Sequence, residues 1–187
     1  CITAKDAEDL EFALNQRVDW IGLSFVRSAR DIIELKHIIQ NKKCHAKVIA
    51  KIEKPEAIED IEDIIKNTDA LMVARGDLGV EVPMETVPNL QKMMIKTCRK
   101  YAKPTIVATQ MMESMITSPT PTRAEASDVA NAVMDGADAV MLSAETSVGD
   151  YPVKAVEAVE RILGSTELGW DVYNKIKKPD PTSPSFI

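Results

Sequence analysis

The sequence is poor in the nitrogen and sulfur side chains that build many metal and nucleophile sites. Its 187 residues include two histidines and three cysteines. His37 and His45 fall in a predicted helix and in the loop after it, which argues against a His-centred zinc site or a Ser-His triad. Cys1, Cys44 and Cys98 are far apart and form no C-x-x-C pair, so we expect no disulfide framework and a reducing, cytoplasmic environment.

Long apolar runs and an excess of basic charge are also missing. No hydrophobic stretch approaches the roughly 20 residues that a transmembrane helix needs. The formal net charge is −6 and the pI is about 5.1, whereas nucleic acids and anionic membranes favour basic surfaces. We therefore expect neither as a partner. The composition does not exclude small anions as ligands, because a few cationic side chains close together can bind them.

The two ends of the sequence have the character of internal positions in a longer protein. The chain opens at Cys1 without a starting Met or a signal-type pattern, and 177–184 has the Pro-rich composition of a linker. A hydrophobic content of 45% is enough for one core. We expect residues 1–164 to form one incomplete domain. Residues 165–187 are expected to form a helix end and a linker toward a domain absent from this chain.

Apolar segments with the character of buried strands alternate with segments of helical periodicity. The predicted strands lie at 19–26, 47–53, from 70 onward, 104–110 and 139–145. The predicted helices lie at 3–14, from 28, around 58–65, 90–101, from 122, and from 152 to about 163. Capping boxes are predicted at Ser28 with Asp31 and at Thr122 with Glu125.

Each predicted strand ends in a polar residue, and the spacing of these residues predicts the fold class. They are Ser24, Lys51, Asp77, Thr109 and Ser143, separated by 27, 26, 32 and 34 residues. One βα unit per interval predicts an α/β fold with a parallel sheet and right-handed crossovers. A complete (β/α)₈ barrel has eight units in about 250 residues, so five units predict a partial barrel with outer helices. The rival is an open doubly wound sheet, but its G-x-G-x-x-G turn is absent.

Charged residues at the predicted strand ends are candidates for chemistry. Lys51 and Glu53 are two residues apart and share a strand face, and the same spacing relates Arg75 to Asp77. Glu53 and Asp77 form a suitable oxygen pair for Mg²⁺ or Mn²⁺, and Lys51 is suited to neutralise a phosphoryl oxygen. The plain alternative is a solvated ion pair between Lys51 and Glu53.

The stretch from Ala70 to Gly79 predicts a strand followed by a tight loop. Backbone amides around Gly76 and Gly79 are placed to meet an anion, although glycine in such loops is often only turn chemistry. Ser143 and Glu145 also share a predicted strand face. Thr109 and Ser143 have two possible interpretations. They take part in a functional site, or they only form hydrogen bonds at strand ends.

Five longer strings are more specific, because they occur in one order and closely resemble motifs of pyruvate kinase. They are IAKIEKPEAI at 49–58, ARGDLGVE at 74–81, ATQMMESM at 108–115, PTRAEASDVAN at 121–131 and MLSAET at 141–146. The similarity extends from about residue 3 to 163. It implies the second half of a (β/α)₈ barrel, from the fourth strand onward.

The resemblance implies phosphoryl transfer from phosphoenolpyruvate to ADP in glycolysis, giving pyruvate and ATP. Glu53 and Asp77 would bind the Mg²⁺ or Mn²⁺ ion, Lys51 would stabilise the phosphoryl group, and Ser24 would lie at the substrate edge. Such chemistry needs positioning and charge neutralisation more than covalent catalysis.

The resemblance also implies a site for the substrate carboxylate. The amides of Gly76 and Asp77 and the Thr109 hydroxyl would hold it, and Arg75 would shape that segment. Thr109 and Ser143 would lie where a group protonates the enolate carbon.

Other features of the family are absent from this chain. The first three strands, which carry the K⁺ site and phosphate-binding residues, are missing, as are the lid and carboxyl-terminal domains. Ala144 replaces a glycine that many members carry. The parent is expected to be a homo-oligomer, a tetramer, and the isolated chain to be inactive. The competing hypotheses are a metal-dependent aldolase or lyase acting on pyruvate enolate, and a non-catalytic barrel piece that self-associates.

Overall fold

The computed structural model describes residues 2–169, in which five strands and the helices between them alternate along the chain. The strands are β1 (Trp20–Leu23), β2 (Lys47–Ile52), β3 (Ala70–Ala74), β4 (Thr105–Ala108) and β5 (Ala139–Met141). The predicted linker at 177–184 lies outside the described residues.

The α-helices begin mainly at the capping and proline signals that the sequence carries. They are α1 (Ala4–Asn15), α2 (Ala29–Asn41), α3 (Pro55–Glu59), α4 (Ile61–Asn67), α5 (Arg75–Glu81), α6 (Val87–Lys100), α7 (Arg123–Asp135), α8 (Ala144–Ser147) and α9 (Pro152–Gly169). Short 3₁₀ helices occupy Met84–Thr86 and Glu113–Ile116. Within residues 2–169, none of the helices combines the length and apolarity needed to cross a membrane.

The strand order is β1-β2-β3-β4-β5, and every neighbouring pair is parallel. Each βα unit therefore adds the next strand on the same side, as in a barrel and unlike a doubly wound sheet, whose order reverses. The prediction of an α/β fold built from parallel βα repeats is confirmed. Because the strands are parallel, their carboxyl ends meet at one edge of the sheet, and polar residues that follow them are brought to that edge.

One face of the sheet packs against the helices and carries the core. Leu23, Ala50 and Leu71 stand side by side in the register on this face, and Ala50 and Leu71 are fully buried. Lys51 and Ile106 lie on the opposite face, where both are only half-buried. Helices that cover one face leave the other face to line the interior of the barrel.

Four strands are shorter at their carboxyl ends than predicted: β2 by a single residue, since it ends at Ile52, and three others by two residues or more. β1 ends at Leu23, β4 at Ala108 and β5 at Met141, whereas the apolar pattern placed their ends at 26, 110 and 145. The backbone of Thr109 has a φ of 75°, which leaves the extended region and stops the ladder. Ser143 and Glu145 consequently do not share a strand face, because α8 begins at Ala144.

The predicted loop after β3 is also wrong. Arg75 is the first residue of α5, so the chain passes directly from the strand into a seven-residue helix. Arg75 and Asp77 therefore do not share a strand face. The helical segment after Pro55 is divided at Asp60 into α3 and α4, and α9 continues to Gly169, beyond the predicted end near 163.

Candidate active site

Lys51 lies at the centre of a polar cluster at the carboxyl edge of the sheet. Its Nζ atom is 2.7 Å from Glu53 Oε1 and donates a hydrogen bond of 2.8 Å to Ser24 Oγ. The two side chains meet as predicted, although Glu53 lies one residue beyond the end of β2. Ser24 joins them from the neighbouring strand end. Gly22 lies beside the stem of Lys51, where a β-carbon would make an ordinary contact of 3.7 Å with Lys51 Cδ.

Glu53 is a buried carboxylate rather than half of a solvated ion pair. It is only 1% exposed, and its Oε2 atom accepts a hydrogen bond of 2.6 Å from the backbone N–H of Phe25. Phe25 has a φ of 55°, a conformation uncommon for a bulky residue. Both carboxylate oxygens of Glu53 are thus oriented by the protein, one by Lys51 and one by the Phe25 amide.

The register of β2 and β3 relates Asp77 to Glu53, because both follow the ends of these neighbouring strands. Ile52 is opposite Val73, so continuing the ladder by one residue brings Glu53 beside Ala74, three residues before Asp77. Asp77 is exposed, and within residues 2–169 no hydrogen bond or ion pair engages its carboxylate.

The donor set at this edge fits a Mg²⁺-type ion that takes most of its ligands from elsewhere. Within residues 2–169 there is no group of three or more His, Cys, Asp or Glu side chains arranged for a metal. Mg²⁺ commonly uses one or two protein carboxylates and completes its shell with substrate oxygens and water. Glu53 and Asp77 are two carboxylates of this kind, and they follow the ends of the neighbouring strands β2 and β3.

Arg75 is held by groups of the protein itself. Its Nη1 atom donates to both carboxylate oxygens of Asp128 at 2.8 and 2.7 Å. Nε donates to the Ala108 carbonyl at 3.3 Å and Nη2 donates to the Thr109 carbonyl at 2.6 Å. Each guanidinium nitrogen therefore has a partner in the protein, and the side chain ties the start of α5 to the end of β4 and to α7.

Gly76 and Thr109 are in close contact. A β-carbon at Gly76 would lie 2.6 Å from the Thr109 methyl carbon, closer than any real side chain packs. Glycine is required at this position because the first turn of α5 passes directly over the Thr109 side chain. The arrangement sets the Thr109 side chain against the amino-terminal turn of α5, where free amides point outward.

Glu145 connects the segment after β4 with the segment after β5. It is 3% exposed, its Oε1 atom accepts from the Met112 amide at 3.1 Å, and its Oε2 atom accepts from the Ser143 amide at 2.7 Å. Ser143 is exposed at this edge. A buried carboxylate bonded to backbone amides of two segments fixes their separation.

Glu125 has a structural role at the start of α7. It forms the predicted capping box with Thr122, and its carboxylate also accepts from the Ser114 amide at 2.6 Å and the Ser114 hydroxyl at 2.5 Å. Burial pushes the pKa of Glu125 up, but these hydrogen bonds outweigh burial and lower the pKa below its usual range.

The structure brings the predicted residues to one edge but in separate groups. Ser24, Lys51 and Glu53 form one group, and Gly76 and Thr109 form another. No hydrogen bond between described residues joins these two groups to each other or to Ser143.

Sequence reasoning missed the roles of Phe25, Asp128 and Glu145. Asp128 lies within the string at 121–131, but nothing in its helical position indicates that it faces Arg75. Phe25 carries no sequence signal for a left-handed backbone, since that conformation favours Gly or Asn.

The five strings that resemble pyruvate kinase belong to a longer similarity, which covers most of the chain. Residues 1–156 match the family model described as pyruvate kinase, barrel domain. A pyruvate kinase of Agrobacterium vitis is 63% identical over 166 residues, which is 89% of this chain and 34% of that protein. A pyruvate kinase of Mycobacterium tuberculosis (strain ATCC 25618 / H37Rv) is 57% identical over 89% of this chain and 35% of its own length.

A third relative, a pyruvate kinase of Methylorubrum extorquens, is 50% identical over 100% of this chain and 39% of its own length. The chain thus spans little more than a third of the curated relatives that it matches. The match begins at the first residue and includes every strand of the sheet. This chain therefore belongs to the pyruvate kinase family and represents part of its barrel domain.

Proposed function

We propose that this chain supplies part of an active site that transfers a phosphoryl group from phosphoenolpyruvate to ADP, giving pyruvate and ATP. The observation that carries the proposal is the Lys51 ammonium held 2.7 Å from buried Glu53 and 2.8 Å from Ser24 at the carboxyl edge of the sheet. Active sites of barrel enzymes lie at this edge. The family membership supports the same reaction.

Lys51 is assigned to the transferring phosphoryl group. A compact cation neutralises negative charge as it moves between two oxygens, and positioning of this kind accounts for most of the catalysis of phosphoryl transfer. Ser24 and Glu53 orient the ammonium toward the open side of the sheet. A Mg²⁺ or Mn²⁺ ion, when bound by Glu53 and Asp77, supplies further positive charge beside the substrate oxygens.

The start of α5 is assigned to the substrate carboxylate. The amides of Gly76 and Asp77 are among the free donors of the first turn of a helix, and the Thr109 side chain packs directly against Gly76. Thr109 and Ser143 are assigned to the group that delivers a proton to the enolate carbon. Arg75 has all its donors engaged within the protein, so its part is to shape the site.

Several properties of the whole protein are part of the proposal. We assign residues 1–164 to the barrel and place residues 165–187 between it and a further domain. The K⁺ site and most of the nucleotide site are assigned to polypeptide outside this chain. We propose a homo-oligomer that works in the cytoplasm, consistent with free thiols at Cys44 and Cys98.

The test is Lys51→Met in a chimaera. In it, the segment of this chain that matches the full-length Agrobacterium vitis pyruvate kinase over 166 residues replaces the corresponding segment of that protein. We expect the chimaera to form ATP from phosphoenolpyruvate and ADP, and Lys51→Met to lower the turnover number by at least about 1,000-fold, as expected for a transition-state cation. Lys47→Met is the matched control, since Lys47 lies on the same strand at its other end, 5.1 Å from the Trp20 ring.

Unchanged turnover in Lys51→Met would contradict the role of Lys51. A parent chimaera that consumes pyruvate enolate without forming ATP would support the aldolase or lyase hypothesis instead. The 187-residue chain alone is expected to show no turnover, because it lacks the nucleotide side.

A non-catalytic, self-associating module is a second candidate, favoured by the outer strands. Within the described residues β1 pairs only with β2, and β5 pairs only with β4. Unpaired strand edges promote association. Light scattering of the 187-residue chain decides this: a stable monomer would exclude self-association through these edges.

A further inference from the structure

We propose that Asp128 is a positioning residue that sets the geometry of Thr109 and Gly76 through Arg75. The proposal rests on the assignment of Thr109 and Gly76 to the carboxylate site. Asp128 is on α7, outside the strand ends that carry the assigned residues, and nothing in its position along the sequence gives it a role in the reaction.

Asp128 forms an ion pair with Arg75. Arg75 is a charged side chain with only 13% of its surface exposed, and Asp128 is the carboxylate that pairs with it, at 2.7 Å. Both carboxylate oxygens accept from the same nitrogen, Nη1. Within the described residues no other carboxylate forms an ion pair with Arg75, so a variant without the charge of Asp128 leaves a largely buried cation without a counter-charge.

Arg75 in turn contacts the backbone at the end of β4. Its Nε and Nη2 atoms donate to the carbonyls of Ala108 and Thr109. At this point the backbone is unusual, because Thr109 has a φ of 75° and Gln110 has a φ of 55°. Two consecutive residues other than glycine in the left-handed region persist only where surrounding contacts hold them, and Arg75 provides two of those contacts.

The backbone of Thr109 in turn sets the position of its side chain against the start of α5. The Thr109 methyl carbon occupies the space directly beside the Gly76 α-carbon, so a change in the Thr109 backbone changes where its hydroxyl stands relative to the first turn of α5. Arg75 and Gly76 are consecutive residues at the start of that helix. An Arg75 that shifts therefore moves both components of the carboxylate site.

This chain of contacts predicts a specific kinetic signature in the full-length chimaera described above. Asp128→Asn keeps the size of the side chain but removes its charge. We expect it to raise KM for phosphoenolpyruvate by about 10-fold or more, in the range expected when a charged partner of a buried ion pair is lost, with KM for ADP unchanged. Asp128→Glu restores the charge and is expected to recover part of the affinity.

The matched control is Asp135→Asn on the same helix. Asp135 also forms an ion pair, with Lys92 at 2.5 Å, but it lies at the opposite end of α7 from Arg123. Among the described residues, no hydrogen bond or ion pair joins Asp135 to Arg75 or Thr109. It reproduces the loss of a charge and of an ion pair. A purely structural role for Asp128 predicts that the two Asn variants change the kinetics equally.

A second readout does not depend on activity. Amide hydrogen exchange of 108–112 is measured in the 187-residue chain and in both Asn variants. We expect exchange in this segment to be at least about 10-fold faster in Asp128→Asn than in Asp135→Asn, because loosening the Arg75 contacts frees the strained backbone.

The outcomes separate this proposal from the proposed function. A parent chimaera without turnover contradicts the proposed function, while hydrogen exchange still tests the link from Asp128 to Thr109. Equal exchange in the two Asn variants overturns that link. Faster exchange with an unchanged KM for phosphoenolpyruvate in an active chimaera overturns the positioning role and leaves a structural one.

Discussion

The Thr109 methyl group fills the space that a β-carbon on Gly76 would need, with a separation of 2.6 Å. Two segments far apart in the sequence, the end of β4 and the start of α5, are therefore in backbone-to-side-chain contact. The contact explains why the helix begins with Arg75 and Gly76. The arginine donates to the carbonyls of Ala108 and Thr109, and the glycine leaves room for the Thr109 side chain.

We predict that Gly76→Ala destabilises the chain by about 1–3 kcal/mol, the usual cost of forcing a group into a filled site. Gly79→Ala is the matched control on the same helix, because its β-carbon would meet Val87 at an ordinary 3.8 Å. It is expected to be neutral or to stabilise by up to about 1 kcal/mol, as alanine favours a helix. Urea unfolding midpoints measure both changes, and equal midpoints for the two variants would contradict the contact.

Glu145→Ala is predicted to reduce the free energy of unfolding by about 2–4 kcal/mol. The variant leaves the buried amide of Met112 and the part-buried amide of Ser143 without their acceptor. An unsatisfied buried group costs about 1–3 kcal/mol, and the Ser143 amide adds less because it is nearer to solvent. Glu157→Ala on α9, where the side chain is exposed, is expected to change stability by less than about 0.5 kcal/mol. Chemical denaturation followed by circular dichroism separates them, and similar losses would argue against the bridging role of Glu145.

The two described cysteines are predicted to differ in reactivity. Burial raises the pKa of the Cys98 thiol to about 11, and the residue is fully buried, so at pH 8 it has almost no thiolate and no access to reagent. Cys44 is half-buried. Iodoacetamide followed by peptide mass spectrometry is expected to modify Cys44 in the native chain and Cys98 only in urea. Equal labelling of both in native buffer would contradict this packing.

Glu125 is predicted to contribute a stability that disappears in acid. Its pKa is lowered in the folded chain, so the unfolded chain binds this proton more readily. The contribution is fully present above the ordinary value of 4.5 and is lost as the pH falls through the lower, folded-state pKa. Glu125→Gln should therefore lose more stability at pH 6 than at pH 3.

The comparison uses unfolding midpoints at both pH values, with Glu113→Gln as the control. Glu113 is an exposed carboxylate in the 3₁₀ helix that precedes α7. A penalty in Glu125→Gln that is the same at both pH values would show that the lowered pKa does not contribute to stability.

Local patterns in the sequence are sufficient for the strands and for one charge pair. Alternation of apolar strands and amphipathic helices predicts parallel βα units. Each unit buries its apolar residues through contacts within itself and with the next unit. Lys51 lies in β2 and Glu53 directly follows its last residue. Residues two apart in extended backbone lie on one face. Their ion pair follows from geometry internal to the segment.

The same patterns fail where a strand stops. The predicted strands at 104–110 and 139–145 continue past Ala108 and Met141, the last residues of β4 and β5, and are therefore too long. At Thr109 the backbone carbonyl accepts a hydrogen bond from Arg75, which approaches from another unit. No local signal in the sequence marks a left-handed threonine.

The sequence by itself determined the family, the order of the βα units, the capping box of Thr122 with Glu125 and the pairing of Lys51 with Glu53. All of these rest on residues close together in the chain or on strings long enough to be specific. Only the tertiary structure decided that Asp128 holds Arg75, that Phe25 holds Glu53, and that Gly76 must be a glycine because of Thr109. These contacts join separate units, and their distances depend on how helices and strands pack rather than on any spacing along the sequence.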